Sequence, residues 1–215
     1  MSFDPALIRE ALLNVIIIIV SLALHEWGHA YMADRLGDDT PRSQGRVTLN
    51  PLVHIDPVGT VLIPLLGSLG FFGSFGVIGW AKPIYTNPRN FRNGTRDRAL
   101  VTIAGPGMNF AIALVATLAA GTAHHFLPQI VPLFQTILTL NVALVVFNLI
   151  PVPPLDGSKF LMYWFGMSEE TYARFAQWGW IVLLLLVNLR PFQVLMSILF
   201  GLVGLPFEFL YRLIA

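Results

Sequence analysis

The residues best suited to chemistry lie at the end of the first long apolar run, where positions 25–29 read His-Glu-Trp-Gly-His. On a helix, His25 and His29 are about one turn apart on the same face, so both imidazoles can ligate one Zn²⁺. Glu26 lies beside them and can act as a general base. The same spacing of His and Glu also occurs by chance in soluble helices. Here, however, ionisable groups without a function, placed after the apolar stretch 12–24, would carry a free-energy cost in lipid. The motif therefore predicts a zinc-dependent hydrolytic site within a membrane.

The composition indicates a membrane protein. Of the 215 residues, 55% are hydrophobic and only 12% are charged, which is far more apolar than an average soluble domain. The net charge of +1 gives no reason to expect a nucleic-acid partner. The chain has no Cys, so a metal must be held by His and carboxylate side chains. The N-terminus lacks a basic start and an Ala-x-Ala site, so no removable signal peptide is expected.

Long apolar segments must position these residues. Five of them predict transmembrane helices, at 6–36, 99–121, 130–150, 171–189 and 192–213. The segment 58–80 is also apolar but contains Pro64 and regularly spaced glycines, a pattern that favours a re-entrant hairpin over a plain helix. The piece Val47-Thr48-Leu49 is strand-like. We therefore expect an all-α polytopic membrane protein, one domain over 1–215, with about five transmembrane helices, a re-entrant Gly-rich hairpin and a short strand on the cytoplasmic side.

A third metal ligand must be found among few carboxylates. A catalytic zinc usually takes three protein ligands and leaves the fourth position for water. Asp156 is the best candidate, because it follows an apolar helix in a Leu-Asp-Gly turn whose glycine permits close backbone approach. The alternative, an ordinary turn aspartate before glycine, is equally consistent with the local sequence.

Two signatures in this order resemble the site-2 protease family of intramembrane zinc metalloproteases. They are the motif at 25–29 and the stretch Asn-Leu-Ile-Pro-Val-Pro-Pro-Leu-Asp-Gly at 148–157, and the segments 50–59, 79–83 and 104–109 resemble further parts of its short bacterial members. The resemblance implies that His25, His29 and Asp156 bind one Zn²⁺ per chain and that Glu26 is the catalytic base. Unlike the longer members of that family, this sequence is expected to have no PDZ or CBS domain.

The expected orientation follows from the basic residues. For Asp156 to reach the two histidines, the first and third predicted helices must end at the same membrane face. With the N-terminus outside, that face receives eleven Lys and Arg residues and the other face only Arg9 and Arg190. The positive-inside rule makes the richer face cytoplasmic. We expect an active site toward the cytoplasm in the bacterial inner (plasma) membrane.

Two further polar residues are candidates for binding substrate or the oxyanion. Asn148 lies near a helix end and could donate a hydrogen bond without adding charge, or it could be a helix-packing amide. His54 could polarise or gate the site, or it could be a hydrogen-bonded loop histidine.

The expected partners are the lipid bilayer and a transmembrane protein substrate cut within or near its membrane segment, as in regulated intramembrane proteolysis. The oligomeric state stays open, a homo-oligomer included. Two alternatives remain: a metal-binding transporter, for which no repeat symmetry is seen, and a catalytically silent membrane scaffold of the same fold.

Overall fold

The computed structural model describes residues 4–71 and 79–215. The chain divides into two compact units, Met1–Asp97 and Arg98–Ala215. The α-helices of the described residues are α1 (Pro5–Arg35), α2 (Thr40–Ser43), α3 (Ile63–Ser68), α4 (Thr95–Phe126), α5 (Val131–Asn148), α6 (Lys159–Phe165), α7 (Glu169–Val187) and α8 (Arg190–Ile214). Four helical segments are long and apolar enough to cross a membrane: Pro5–Arg35, Thr95–Phe126, Pro128–Asn148 and Arg190–Ile214. The protein is an integral membrane protein, and the all-α polytopic fold predicted from the sequence is confirmed.

Helix α1 confirms the first predicted transmembrane helix. It begins where the Asp4 side chain accepts a hydrogen bond from the Ala6 backbone N–H at 2.9 Å, with Pro5 at the first helical position. Its 31 residues correspond to about 46 Å, more than the ~30 Å hydrocarbon core. The helix ends before Gly37, whose φ of +109° favours glycine.

Buried Asp38 joins the end of α1 to the segment before α4. Its carboxylate accepts hydrogen bonds from the Asn87 backbone N–H at 2.7 Å and from Asn90 Nδ2 at 3.0 Å. The Thr40 hydroxyl donates to the same carboxylate at 2.5 Å. These bonds hold the chain on either side of the Gly-rich segment together within the first unit.

The predicted short strand at Val47-Thr48-Leu49 is wrong. The structure gives these residues a bend and places no strand in the described part of the chain. The Thr48 carbonyl accepts from His54 Nε2 at 3.0 Å, and the Thr48 hydroxyl accepts from the Asn50 N–H at 3.2 Å. Local side-chain bonds of this kind replace a ladder with a neighbouring strand.

The Gly-rich segment returns to its starting point, as a re-entrant hairpin requires. It begins as a π-helical turn, Pro57–Leu62, that continues into α3 and ends before Gly70 at φ +84°. The Trp80 N–H donates to the Gly59 carbonyl at 3.0 Å, and the Thr60 hydroxyl donates to the Trp80 carbonyl at 2.8 Å. A Cβ on Gly59 would lie 2.3 Å from the Trp80 ring, so only glycine allows this closure. The middle of the predicted hairpin, 72–78, lies outside the described residues.

In the second unit, α8 runs in the same direction as α4. At one end, His125 Nε2 donates to the Ile214 carbonyl at 2.7 Å, next to the end of the chain. At the other end, Phe192 and Met196 at the start of α8 pack against Ile150 and Leu155, which follow α5. Between these ends, a core of Ala113, Val142, Val146 and Phe207 joins the three helices.

Helix α7 lies at one end of this unit. The helix predicted at 171–189 is present, and several of its contacts are with the loop that follows α5. The Tyr172 hydroxyl lies 3.0 Å from Ser158 Oγ, the backbone of Gly179 packs on Pro153, and Leu183 packs on Ile150. Since α8 starts at the same end, α7 makes no crossing from one end of the unit to the other. Among the described residues, four helices are long and apolar enough to cross a membrane, compared with the expected number of about five.

Candidate metal centre

The two histidines of the motif meet on one face of α1, as predicted. Both are buried, with 3% of their surface exposed, and their Nε2 atoms lie 3.0 Å apart. Two imidazoles bound tetrahedrally to zinc at 2.0–2.1 Å would have their nitrogens about 3.3 Å apart. The rings of His25 and His29 are nearly perpendicular, with centroids 4.6 Å apart. The donor pair therefore fits a zinc ion with only small adjustment.

Glu26 lies next to this pair and is only partly buried, so it remains accessible for proton transfer. It is close enough to affect two groups of the following loop. Burial lowers the pKa of Arg46 and of His54, whereas the negative charge of Glu26 opposes both shifts. The candidate base Glu26 therefore lies in the same unit as the buried side chains of Arg46 and His54.

Asp156 lies in the second unit, in the 3₁₀-helical turn Asp156–Ser158 that follows the proline-rich loop. It is buried, with 6% of its surface exposed. A Cβ on Gly157 would lie 2.3 Å from the Leu149 carbonyl oxygen and 2.8 Å from that of Ile150. The close approach of the backbone therefore requires a glycine in the Leu-Asp-Gly turn, as the sequence analysis predicted.

Lys159 is the cationic partner of Asp156. Its Nζ donates to Asp156 Oδ1 at 2.8 Å. Burial alone would lower the pKa of Lys159, but the attraction and the hydrogen bond of Asp156 outweigh it, so the pKa lies above its usual range. The turn carrying the candidate ligand thus provides its own counter-charge.

His54 is fully buried in a loop of the first unit, with 1% of its surface exposed. Its Nε2 faces the Thr48 carbonyl at 3.0 Å, so this nitrogen carries the proton. Burial lowers the pKa of His54, helped by nearby Arg46, so the ring is neutral and Nδ1 is an acceptor. Nδ1 is buried and has no hydrogen-bond partner among the described residues. This geometry favours the loop-histidine interpretation over donation to an oxyanion.

Asn148 is the last residue of α5 and is half-buried. Its Nδ2 donates to the Leu144 carbonyl of its own helix at 2.9 Å. That bond uses one of the two amide hydrogens, so the side chain keeps one donor and its carbonyl oxygen. Its role toward a substrate stays a prediction.

Arg46 is a residue that sequence reasoning missed. It is 6% exposed, and its guanidinium donates to the carbonyls of Val53 and Lys82 and, at 3.2 Å, to that of Pro83. It therefore fixes the loop around His54 to the segment that leaves the Gly-rich hairpin. The partners are backbone carbonyls as many as 37 positions away, so no sequence motif points to them.

The candidate ligands His25, His29 and Asp156 are all buried, and together they offer two imidazole nitrogens and a carboxylate oxygen. This set suits Zn²⁺, which binds His nitrogen and carboxylate oxygen. It has the composition of a catalytic rather than a structural site, because three protein ligands leave a fourth position open.

Comparison with known proteins relates this chain to a family of peptidases. The model of peptidase family M50 matches residues 119–189. "Putative zinc metalloprotease YwhC" of Bacillus subtilis is 40% identical over 155 residues, which cover 68% of this chain and 66% of the relative. "Putative zinc metalloprotease Rip2" of Mycolicibacterium smegmatis is 31% identical over 176 residues, 79% of this chain and 64% of the relative. The protein of that name from Mycobacterium tuberculosis is 35% identical over 142 residues, 65% of this chain and 52% of the relative.

The chain thus spans at most 66% of the length of these curated relatives. No solved structure matches it. The family match begins in α4 and includes the Asp156 turn, and the match to YwhC extends over a larger part of the chain. The chain belongs to peptidase family M50, the site-2 protease family.

Proposed function

We propose that this protein is an intramembrane zinc metalloprotease that hydrolyses peptide bonds within or near transmembrane segments of other membrane proteins. The observation that carries the proposal is the buried imidazole pair, 3.0 Å apart, in a helix long enough to cross the membrane, with Glu26 beside it. Membership of the M50 family and the zinc metalloprotease names of the relatives support the same activity.

The zinc ligands in this proposal are His25, His29 and Asp156. The two histidines are supported by their spacing and burial, and Asp156 by its burial in a turn whose glycine fixes the local backbone. Bound zinc lowers the pKa of a water molecule to near 7 and polarises the scissile carbonyl. Residues 1–215 form a single domain in this proposal.

Glu26 is the general base and then the general acid. It takes a proton from the attacking water and delivers it to the amine that leaves. Its partial exposure supports this role, because a base that is open to solvent can exchange protons between turnovers. Asn148 retains an amide hydrogen that could meet the oxyanion, whereas neutral His54 has no proton available on Nδ1.

The site faces the cytoplasm of a bacterial inner membrane in this proposal. Because α7 makes no crossing, Arg190 belongs to the face of Asp156 and Arg212 to the opposite face. In the topology predicted from the sequence, these two residues were on the opposite faces. The exchange leaves the counts unchanged, with eleven Lys and Arg residues on the Asp156 face and two on the other. The positive-inside rule again assigns the Asp156 face to the cytoplasm. The partners are lipid and a transmembrane substrate.

The test compares Glu26→Gln with Glu10→Gln, an exposed carboxylate on the same helix. Purified protein in detergent is incubated with a set of single-pass transmembrane peptides, and products are identified by mass spectrometry with and without a zinc chelator. We expect wild type and Glu10→Gln to cut and to bind one zinc, and Glu26→Gln to bind zinc without cutting.

The outcomes also separate the alternatives. Zinc binding without cleavage by wild type would indicate the silent scaffold. Zinc transport into vesicles without cleavage would indicate the transporter. Cleavage by Glu26→Gln at the wild-type rate would refute the role of the base.

A further inference from the structure

The Asp156 carboxylate has a cation supplied by its own turn. Asp156 begins a 3₁₀-helical turn and Lys159 follows it directly, three residues later, and side chains at i and i+3 of such a turn lie one above the other. The ammonium therefore reaches Oδ1 at 2.8 Å without ordering any other segment.

This ion pair differs from the exposed pairs of the same unit. The Asp156 side chain is 8% exposed and that of Lys159 is 35% exposed. The Arg174–Glu170 pair has 76% and 77% exposure, and the Arg212–Glu208 pair has 74% and 56%. Exposed pairs contribute little, because water and salt screen them, whereas removing one partner of a buried pair leaves an uncompensated charge. Of these three pairs, the Asp156–Lys159 contact is therefore the one whose removal should have the largest effect.

The backbone around the pair is fixed from two sides. Ser158 Oγ lies 2.5 Å from the Leu155 carbonyl and 3.0 Å from the Tyr172 hydroxyl of α7. Tyr163, one turn after Lys159, has its hydroxyl 3.1 Å from Thr102 Oγ1 of α4. Because these contacts hold the turn, loss of the ammonium should remove the Lys159 contact of the carboxylate and leave the turn in place.

Building on the proposed function, we propose that Lys159 is a positioning residue of the metal centre. Its ammonium donates to Oδ1 of Asp156 and so fixes the rotation of the carboxylate. Ligating carboxylates need such partners, and losing one typically weakens metal binding 10- to 100-fold.

The test measures zinc affinity, which a purely structural role in the turn would not change in folded protein. Zinc is titrated against a competing chelator for wild type, Lys159→Met and Lys159→Arg, and cobalt absorption spectra report the coordination of the substituted metal. Lys159→Met keeps the length of the apolar stem, and we expect it to bind zinc about 10- to 100-fold more weakly with an altered cobalt spectrum. Lys159→Arg retains a cation and should recover most of the affinity. Arg174→Met removes an exposed cation from the same unit and should leave affinity unchanged.

Each outcome decides the proposal. Equal zinc affinity in Lys159→Met, Arg174→Met and wild type would overturn it, and so would tighter binding in Lys159→Met, which would mean that the ammonium competes with the metal. If Lys159→Met does not fold, Lys159→Gln takes its place under the same criteria. Failure of the proposed function looks different, because the wild type itself would then bind no zinc or cut no peptide.

Discussion

Adding one methyl group at Gly179 is expected to disturb the loop that carries Asp156. A Cβ at this position would lie 1.8 Å from the Pro153 carbonyl oxygen, 2.6 Å from its carbon and 3.1 Å from Pro154 Cδ. Ordinary contact begins at 3.4 Å, so Gly179→Ala requires the helix or the loop to move by 3.4 minus 1.8, about 1.6 Å. Two of the three nearest atoms are backbone, so no side-chain rotation can absorb the movement.

Two contributions to the folding stability of Gly179→Ala act in opposite directions. Alanine in place of glycine within a helix gains up to about 1 kcal/mol from backbone entropy. Overpacking typically costs about 1–3 kcal/mol, so Gly179→Ala should be destabilising by as much as about 2 kcal/mol. A displacement of about 1 Å near a catalytic ligand can cost on the order of 100-fold in rate. We therefore expect zinc affinity and cleavage rate to fall further than the loss of folding stability alone would explain.

The matched control is Gly201→Ala. Gly201 also lies in a helix of the second unit, and a Cβ there would meet nothing within 4 Å. This control should be neutral or stabilised in thermal unfolding, with unchanged zinc affinity and cleavage. Equal behaviour of the two variants in all three assays would refute the close approach of α7 to the Pro153 loop.

The other predictions concern topology, the third ligand and pH. Because the chain has no Cys, single cysteines can be introduced for labelling. Ser168→Cys and Asn188→Cys, at the two ends of α7, should be labelled from the same membrane face, and Gln129→Cys from the opposite face. Labelling of positions 168 and 188 from different faces would mean that α7 crosses the membrane. Asp156→Asn should weaken zinc binding with the fold retained, and Asp156→Ala should lose zinc to a mild chelator; unchanged affinity in Asp156→Ala would exclude it as a ligand. Burial lowers the pKa of His54 below its ordinary 6.5, so the unfolded chain binds the proton more readily. Stability should thus be highest above pH 6.5 and fall as the pH drops below it, and thermal unfolding of His54→Gln should show a smaller fall.

The parts predicted well from the sequence are those set by local periodicity. Helical spacing alone places His25 and His29 on one face, and the structure confirms it. The glycines and the proline of the segment 58–80 predicted a hairpin, and the bond between Trp80 and Gly59 brings the two ends of this segment together, as a hairpin requires.

The parts that failed depend on contacts that no local pattern reveals. The segment 171–189 ends in a long apolar run, which led to the prediction of a membrane span. Helix α7 is not among the described helices that are long and apolar enough to cross a membrane, and a glycine that approaches the Pro153 carbonyl holds it at one end of its unit. The bend at Val47–Leu49 follows from the Thr48 bonds to His54 and Asn50. Lys159, the partner of Asp156, is three residues away in the sequence. It could have been predicted only if the turn had been recognised as a 3₁₀ helix.

The amide pair between α4 and α5 sets the alignment of these two helices along their length. Asn109 Nδ2 donates to Asn141 Oδ1 at 3.0 Å, and both side chains are fully buried. Packing of small and aliphatic side chains alone would tolerate a slide of one helix past the other, but a slide would break a hydrogen bond between two fully buried amides, which is costly. Two separately synthesised fragments, cut in the short connection at 127–130, should therefore find the same alignment when they meet in a bilayer. The covalent link between these helices is then needed to keep them at high local concentration, and the asparagines determine how they fit.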